Sequence, residues 1–151
     1  GILEERGILA QILEIERESF ADPWSEASFR SMLQNPQVLA AVAEQGGRVR
    51  GYFVAWMVAD EAELANLAVD SEVRRSGLGR ALLDHLLAEV ASRGGATIYL
   101  EVRASNTAAH ALYRGRGFRE AGRRTGYYQS PTEDAVLMRR ARPAPNDERT
   151  D

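Results

Sequence analysis

The sequence predicts an α/β or α+β domain of about six or seven strands and four helices, and three observations carry that expectation. Val49 to Val58 is rich in β-branched and aromatic residues. It follows a second apolar run, Val38 to Ala43, across the turn signal Gln45-Gly46-Gly47-Arg48, a hairpin pattern. Leu78, Leu82, Leu83, Leu86, Leu87, Val90 and Ala91 then recur at helical spacing over a long segment. Beyond it, short strand-like and helix-like stretches alternate as far as Met138.

Taken in order, Ile2 to Glu5 is a candidate short strand. Ile8, Leu9, Ile12, Leu13, Ile15 and Phe20 mostly follow helical spacing. Asp22-Pro23 reads as the start of a second, short helix, with Asp as the N-cap and Pro at the first helical position, where its missing N–H does no harm. That helix carries Phe29, Met32 and Leu33 and stops near Asn35-Pro36. After the hairpin, Asp60-Glu61 breaks the pattern and Glu63 to Val69 begins another strand. The long helix closes at Gly94-Gly95, where a C-terminal glycine is expected. Thr97 to Val102 is a strand and Thr107 to Arg114 a short helix ended by Gly115 and Gly117. Phe118 to Tyr128 and Ala135 to Met138 complete the strands. The tail from Arg142 to Asp151 has no core-forming residue and is expected to be disordered, leaving residues 1–141 as a single domain.

Composition narrows the chemistry. The chain has 151 residues, 19 Lys+Arg, 22 Asp+Glu, 2 His and no cysteine. A domain of this length buries about two-thirds of its unfolded surface, so one real core is expected and a second is not. Disulfides, thiolate catalysis and cysteine-based metal sites are excluded, and His85 and His110 are too few for a histidine-rich one. No metal is expected. The formal net charge of −3 argues against direct nucleic-acid binding. No apolar run approaches the ~20 residues of a membrane span, and the first residues lack the basic and apolar regions of a signal peptide. A soluble, cytoplasmic protein that makes no use of a membrane is the expectation. Its chemistry must come from carboxylates, hydroxyls, backbone and arginines.

Arg74-Arg75-Ser76-Gly77-Leu78-Gly79-Arg80 sits between a strand and the long helix. Glycine lets the backbone turn tightly and approach a ligand without Cβ interference. The unpaired N–H groups of a helix's first turn, at the positive end of its dipole, suit a pyrophosphate. A dinucleotide fingerprint would need glycine at position 82, which is Leu82, and a P-loop would need Gly-Lys-Ser/Thr, which is missing. Spacing alone fits an ordinary strand–turn–helix with solvated arginines equally well.

Arg74-x-x-Gly77-x-Gly79 resembles the signature of the GNAT superfamily of N-acetyltransferases. Asn66-Leu67-Ala68-Val69 precedes it, and Leu100-Glu101-Val102-Arg103-Ala104-Ser105-Asn106, Ala111-Leu112-Tyr113 and Gly117-Phe118 follow in that family's order. Phe20-x-x-Pro23-Trp24-Ser25, Tyr127-Tyr128 and Glu133-Asp134-Ala135 are similar to the bacterial RimI type within it, whose members acetylate the N-terminal alanine of the eighteenth small-subunit ribosomal protein. The resemblance implies the GNAT fold, a central mixed, mostly antiparallel sheet flanked by helices. It implies acetyl-CoA as co-substrate, the N-terminus of a ribosomal protein as acceptor, and direct transfer.

The same resemblance implies roles for particular residues. Arg74, Arg75, Ser76, Gly77, Leu78, Gly79 and Arg80 would hold the pyrophosphate. The backbone of Leu67, Ala68 and Val69 would bind the pantetheine arm and polarise the thioester carbonyl, and Asn106, which also reads as a helix N-cap, would hydrogen-bond the coenzyme. Glu101 would be the base. It is a carboxylate inside an otherwise apolar strand, facing opposite to Leu100 and Val102; spacing alone favours a strand-face glutamate paired with an arginine, and the resemblance reverses that preference. Tyr113 would be the acid, with aromatic packing as its plainer role. Trp24, Tyr127 and Tyr128 would flank the acceptor. Asp60, Glu61 and Glu63 could attract a basic substrate tail, but a solvated turn explains them better, and His85 and His110 receive no role. Lysine side chains and small amines are alternative acceptors. A non-catalytic acyl-CoA-binding module is the alternative outside catalysis, and it would need neither Glu101 nor Tyr113.

Overall fold

Two amphipathic helices open the described chain, which in the computed structural model is residues 7–142. The candidate strand Ile2–Glu5 and the tail beyond Arg142 lie outside the described residues. Helix α1 (Ile8–Ser19) turns Ile8, Leu9, Ile12, Leu13, Ile15 and Glu16 inward. Helix α2 (Glu26–Leu33) begins later than the Asp22-Pro23 reading expects. Its N-cap is Ser25, whose side chain accepts a hydrogen bond from the Ser28 N–H at 3.1 Å. The preceding segment stays outside the helix because the Trp24 N–H donates to the Glu16 carboxylate at 2.8 Å.

Six strands form one sheet: β1 (Val38–Gln45), β2 (Arg48–Val58), β3 (Glu61–Val69), β4 (Thr97–Arg103), β5 (Arg119–Tyr128) and β6 (Glu133–Ala141). The spatial order is β1-β2-β3-β4-β6-β5, and only the β3–β4 pair is parallel. The expected hairpin is present, closed by Gly46 and Gly47 at φ +60° and +79°, the left-handed pair that a two-residue turn demands. A parallel pair needs a long crossover, here supplied by a 3₁₀ turn (Ser71–Val73) and helix α3 (Leu78–Ser92). Helix α4 (Thr107–Arg114) follows β4 and is capped by Asn106, as read from the sequence.

Alternation along the strands divides the core in two. Tyr52, Val54 and Ala68 pack with α1 and Phe29 of α2. Phe53, Ala55, Leu64, Leu100, Val102 and Met138 pack beneath Leu82, Leu83 and Leu86 of α3, with Tyr113 and Phe118. Gly51 permits this closeness, since a Cβ there would lie 2.9 Å from Leu82 Cδ1.

The arrangement opens at its centre. Pairing of β3 with β4 runs from Glu61↔Thr97 to Leu64↔Leu100 and stops. The β2–β3 register shifts at the same place, from Val54↔Asn66 to Ala55↔Leu64, leaving Ala65 as a bulged residue. Past this point β3 is held by β2 alone, while Glu101, Val102 and Arg103 pair only with β6. The two strands splay, and a cleft fills the gap.

Candidate active site

The cleft has a volume of about 340 Å³ and collects residues from six elements and their loops. Glu63, Asn66 and Leu67 enter from β3, Glu101 and Arg103 from β4, Asn106 and Tyr113 from α4 and its cap. Phe20 and Trp24 come from the α1–α2 segment, Trp56 from β2, and Tyr127 and Tyr128 from the end of β5. Sequence-predicted Glu101, Tyr113, Leu67, Asn106, Trp24, Tyr127 and Tyr128 are thereby brought together. The glycine turn lies apart, at the far end of β3. Arg74, Arg75, Ser76, Gly77 and Arg80 are exposed, and Ala68 is buried against α1.

Glu101 points away from its buried neighbours Leu100 and Val102, as strand alternation requires. The arginine-paired reading of this residue is what the geometry shows. Arg124 Nε lies 3.3 Å from Glu101 Oε2, an ion pair, yet that oxygen is buried and makes no aligned hydrogen bond among the described residues. The Glu101 side chain lines the cleft. Its charge is felt by two neighbours. Glu63 is raised from the ordinary carboxylate range, first by burial and then by Glu101, while Arg124 and a polar contact from the Trp56 side chain pull it the other way. Tyr128 is pushed up to about 12, again by burial first and Glu101 second. Glu63 thus belongs to the cleft, which corrects the solvated-turn reading for this residue; Asp60 and Glu61 are exposed as that reading expects.

Tyr113 is 7% exposed, and its ring meets that of Phe118 edge-on at 5.6 Å. Burial, with a smaller contribution from Tyr128, raises its phenol pKa, so it is held as a protonated donor at neutral pH. At the outer wall the Tyr127 and Tyr128 rings meet at 5.1 Å. Arg103 lies over Tyr128 at 4.6 Å and Arg124 over Tyr127 at 5.2 Å. Arg103 is in turn fixed by Glu133 at 3.3 Å and by the Gln129 carbonyl at 2.7 Å, tying the β5–β6 connection to the cleft.

The sequence reading missed Glu16. It is 1% exposed and accepts hydrogen bonds from the Tyr52 hydroxyl, from Asn66 Nδ2 at 2.8 Å and from the Trp24 N–H at 2.8 Å. The available signal was a charge on the apolar face of α1, one turn after Ile12. The carboxylate links the α1–α2 segment to β2 and to β3 beside the bulge.

The glycine turn fits a pyrophosphate. Gly77 is the N-cap of α3 at φ +86° and offers no side-chain cap. The first intrahelical bond, Ala81 N–H to the Gly77 carbonyl, leaves the N–H groups of Leu78, Gly79 and Arg80 ahead of it for a ligand. A Cβ at Gly79 would stand 3.7 Å from both Val69 and Leu112, so the turn nests between β3 and α4, whose Tyr113 lines the cleft. Arg74 donates to the Val69 carbonyl at 3.3 Å and reaches Ser19 on the cleft's rim at 3.5 Å.

The pattern for the Acetyltransferase (GNAT) family matches residues 9–118, spanning the glycine turn, the splay and the helix of Tyr113. The chain belongs to the GNAT acetyltransferase family. This GNAT enzyme is 48% identical over 126 residues to the [ribosomal protein bS18]-alanine N-acetyltransferase of Escherichia coli K12, covering 82% of this chain and 84% of that one. It is 39% identical over 133 residues to the N-alpha-acetyltransferase RimI of Mycobacterium tuberculosis, covering 84% and 82%. The crystal structure of the Escherichia coli ribosomal-protein-S18-alanine N-acetyltransferase superposes with a TM-score of 0.84 at 45% identity, covering 90% of this chain and 89% of that one. The GNAT fold expected from the sequence is the fold observed, a mixed six-stranded sheet flanked by four helices among the described residues.

Proposed function

We propose that this GNAT enzyme transfers the acetyl group of acetyl-CoA to the α-amino group at the N-terminus of a protein, with the N-terminal alanine of a bS18-type ribosomal protein as its acceptor and the cytoplasm as its place of action. The observation that carries the reading is the meeting of Glu101 and Tyr113 in one cleft at the splay of β3 and β4. The names of the relatives cited above support the choice of acceptor.

Acetyl-CoA supplies the activated acetyl group when bound. The N–H groups at the start of α3, with Arg74, Arg75, Ser76 and Arg80 around them, hold the pyrophosphate. The backbone of Leu67, Ala68 and Val69 lies along the β3 edge that β4 has left, where fixed N–H donors can polarise the thioester carbonyl. Asn106 keeps donors free for the coenzyme, because its carbonyl oxygen is spent on the Ala109 N–H.

Two protons must leave the acceptor nitrogen on the way from ammonium to amide. Glu101 takes the first, freeing the lone pair that forms the C–N bond. Glu101 passes that proton to water; as the C–S bond breaks, Tyr113 gives its proton to the sulfur, and the second nitrogen proton, taken up by Glu101, returns to the Tyr113 phenolate through water, so that one proton is released for each acetyl group transferred. An α-amino group with pKa ~8 is already about one-tenth neutral at pH 7, whereas a lysine near 10.4 is neutral only a few times in ten thousand. A single carboxylate base therefore serves an N-terminal acceptor far better than a lysine. Trp24, Tyr127 and Tyr128 form the aromatic walls between which the acceptor enters.

The test is a comparison of an alanine-starting peptide with the same peptide blocked at its N-terminus, each incubated with acetyl-CoA and the full chain. Acetylation of the free peptide alone is expected. Equal acetylation of the blocked peptide on a lysine would refute the N-terminal assignment.

A further inference from the structure

The cleft has two ends, and the glycine turn accounts for one. That turn follows Val69, at the C-terminal end of β3, so the acceptor comes from the opposite end, where β3 begins. The side chain standing there is Glu63. It pairs with Tyr99 in the parallel register and with Trp56 across the antiparallel one. Tyr99 and Glu101 are two residues apart on β4, so Glu63 and Glu101 share a face, separated by about 7 Å along the strand direction. That is roughly the separation between an α-amino nitrogen and the side chain of the second residue in an extended peptide.

Charge and shape at this end are unbalanced in one direction. The cation acting on Glu63 among the described residues, Arg124, is already ion-paired with Glu101. Two carboxylates therefore share one guanidinium in a partly buried site, and burial together with the charge of Glu101 works against the ionised form of Glu63. A bound cation relieves both penalties. Trp56 lines the same space, and its side chain is the polar neighbour that favours the ionised form of Glu63. Trp56 also borders a second groove, of about 730 Å³, that continues across Val38 and Val58 to α2. The path past Glu63 leads out along the sheet face and leaves room for the chain that follows.

We infer that Glu63 and Trp56 form a specificity subsite that takes a cationic side chain, Lys or Arg, at the second residue of the acceptor. This rests on the N-terminal acetyltransferase reading and adds to it which termini the enzyme selects. Glu63 discriminates by pairing with the acceptor's side chain, while Glu101 meets its α-amino group. The two glutamates thus divide recognition and proton transfer between them.

The test uses the full chain, acetyl-CoA and three peptides differing only in the second residue: Ala-Arg, Ala-Gln and Ala-Glu. Wild type is expected to favour Ala-Arg over Ala-Gln by about tenfold or more in kcat/KM. In Glu63→Gln that ratio falls below about threefold. In Glu63→Lys the order of Ala-Arg and Ala-Glu reverses, a gain that a misfolded protein cannot produce. Equal use of Ala-Arg and Ala-Gln by wild type would overturn the subsite, and so would a loss in Glu63→Gln that is the same for all three peptides. Acetylation of every α-amino group without preference removes the subsite alone. Failure to acetylate any of the three removes the N-terminal reading with it.

Discussion

Glu16 and Glu101 are carboxylates lining the same cleft, and their surroundings give them opposite duties. Three donors from three parts of the chain satisfy Glu16, whereas Glu101 has one ion pair and an oxygen without an aligned donor. The first is a tie, and the second is the group proposed above as the base. Glu16→Ala strands the Tyr52 hydroxyl, the Asn66 amide and the Trp24 N–H, and is expected to cost about 3 kcal/mol or more in a urea-unfolding measurement. A loss below about 0.5 kcal/mol would show that water replaces the carboxylate. Tyr113→Phe keeps the packing against Phe118 and removes the proton, so kcat is expected to fall roughly 10²-fold with the fold intact; undiminished turnover would leave Tyr113 a packing residue. Glu101 was legible because a charge in the apolar strand Ile98 to Val102 is conspicuous within a short window. Glu16 was not, because its meaning lies in Tyr52 and Asn66, 36 and 50 residues away.

At the scale of elements, the glycines around α3 show how local chemistry sets a functional end and a structural one. Gly77 starts the helix at φ +86°, with nothing within 4 Å of a Cβ, so its constraint is conformational. Gly77→Val strains the turn by about 1–3 kcal/mol and is expected to raise the KM for acetyl-CoA while leaving that for peptide unchanged. A rise in the peptide KM alone would mean the turn holds something else. At the other end Gly94, at φ +80°, and Gly95 have different jobs, although the sequence reads them as one stop signal. A Cβ on Gly95 would fall 2.2 Å from Val90 Cγ1 and 2.9 Å from the Val90 carbonyl. Gly95→Ala is expected to cost about 1–3 kcal/mol by overpacking, visible as a lowered Tm. Helix and strand boundaries were otherwise legible, since periodicity and caps are local. The start of α2 was misread because Asp22-Pro23 is a good local signal that loses to Ser25 once Glu16 holds Trp24 outside the helix.

For the whole molecule, the single parallel pair follows from the crossover through α3, and the GNAT resemblance anticipated a mixed, mostly antiparallel sheet but not its strand order. The splay did not emerge from the sequence, because it depends on a bulge at Ala65 and on pairing that ends at Leu64↔Leu100, both matters of tertiary register. The glycine turn follows Val69 at the end of β3, and Gly79 lies against Leu112, the chain neighbour of Tyr113. Linear spacing cannot say whether such pieces converge, but the fold does. Stability should also carry the mark of this cleft and of the core beneath it. Tyr52, Tyr113 and Tyr128 all have raised phenol pKa values, burial being the first cause in each. Their neutral forms are favoured in the folded state, so their contribution is fully present below about pH 10 and is lost as pH rises toward and beyond about 12. Unfolding free energy is expected to fall steeply above pH 10 and less steeply in Tyr128→Phe; an unchanged slope in that variant would contradict the Tyr128 assignment.

The claim on which the rest depends is that Glu101, at the splay of β3 and β4, removes the acceptor's proton. Glu101→Gln preserves size and removes the base. Steady-state kinetics with an alanine-starting peptide, paired with calorimetric binding of acetyl-CoA, should show kcat lowered by roughly 10²-fold or more and coenzyme affinity unchanged. Wild-type turnover in Glu101→Gln would contradict the account.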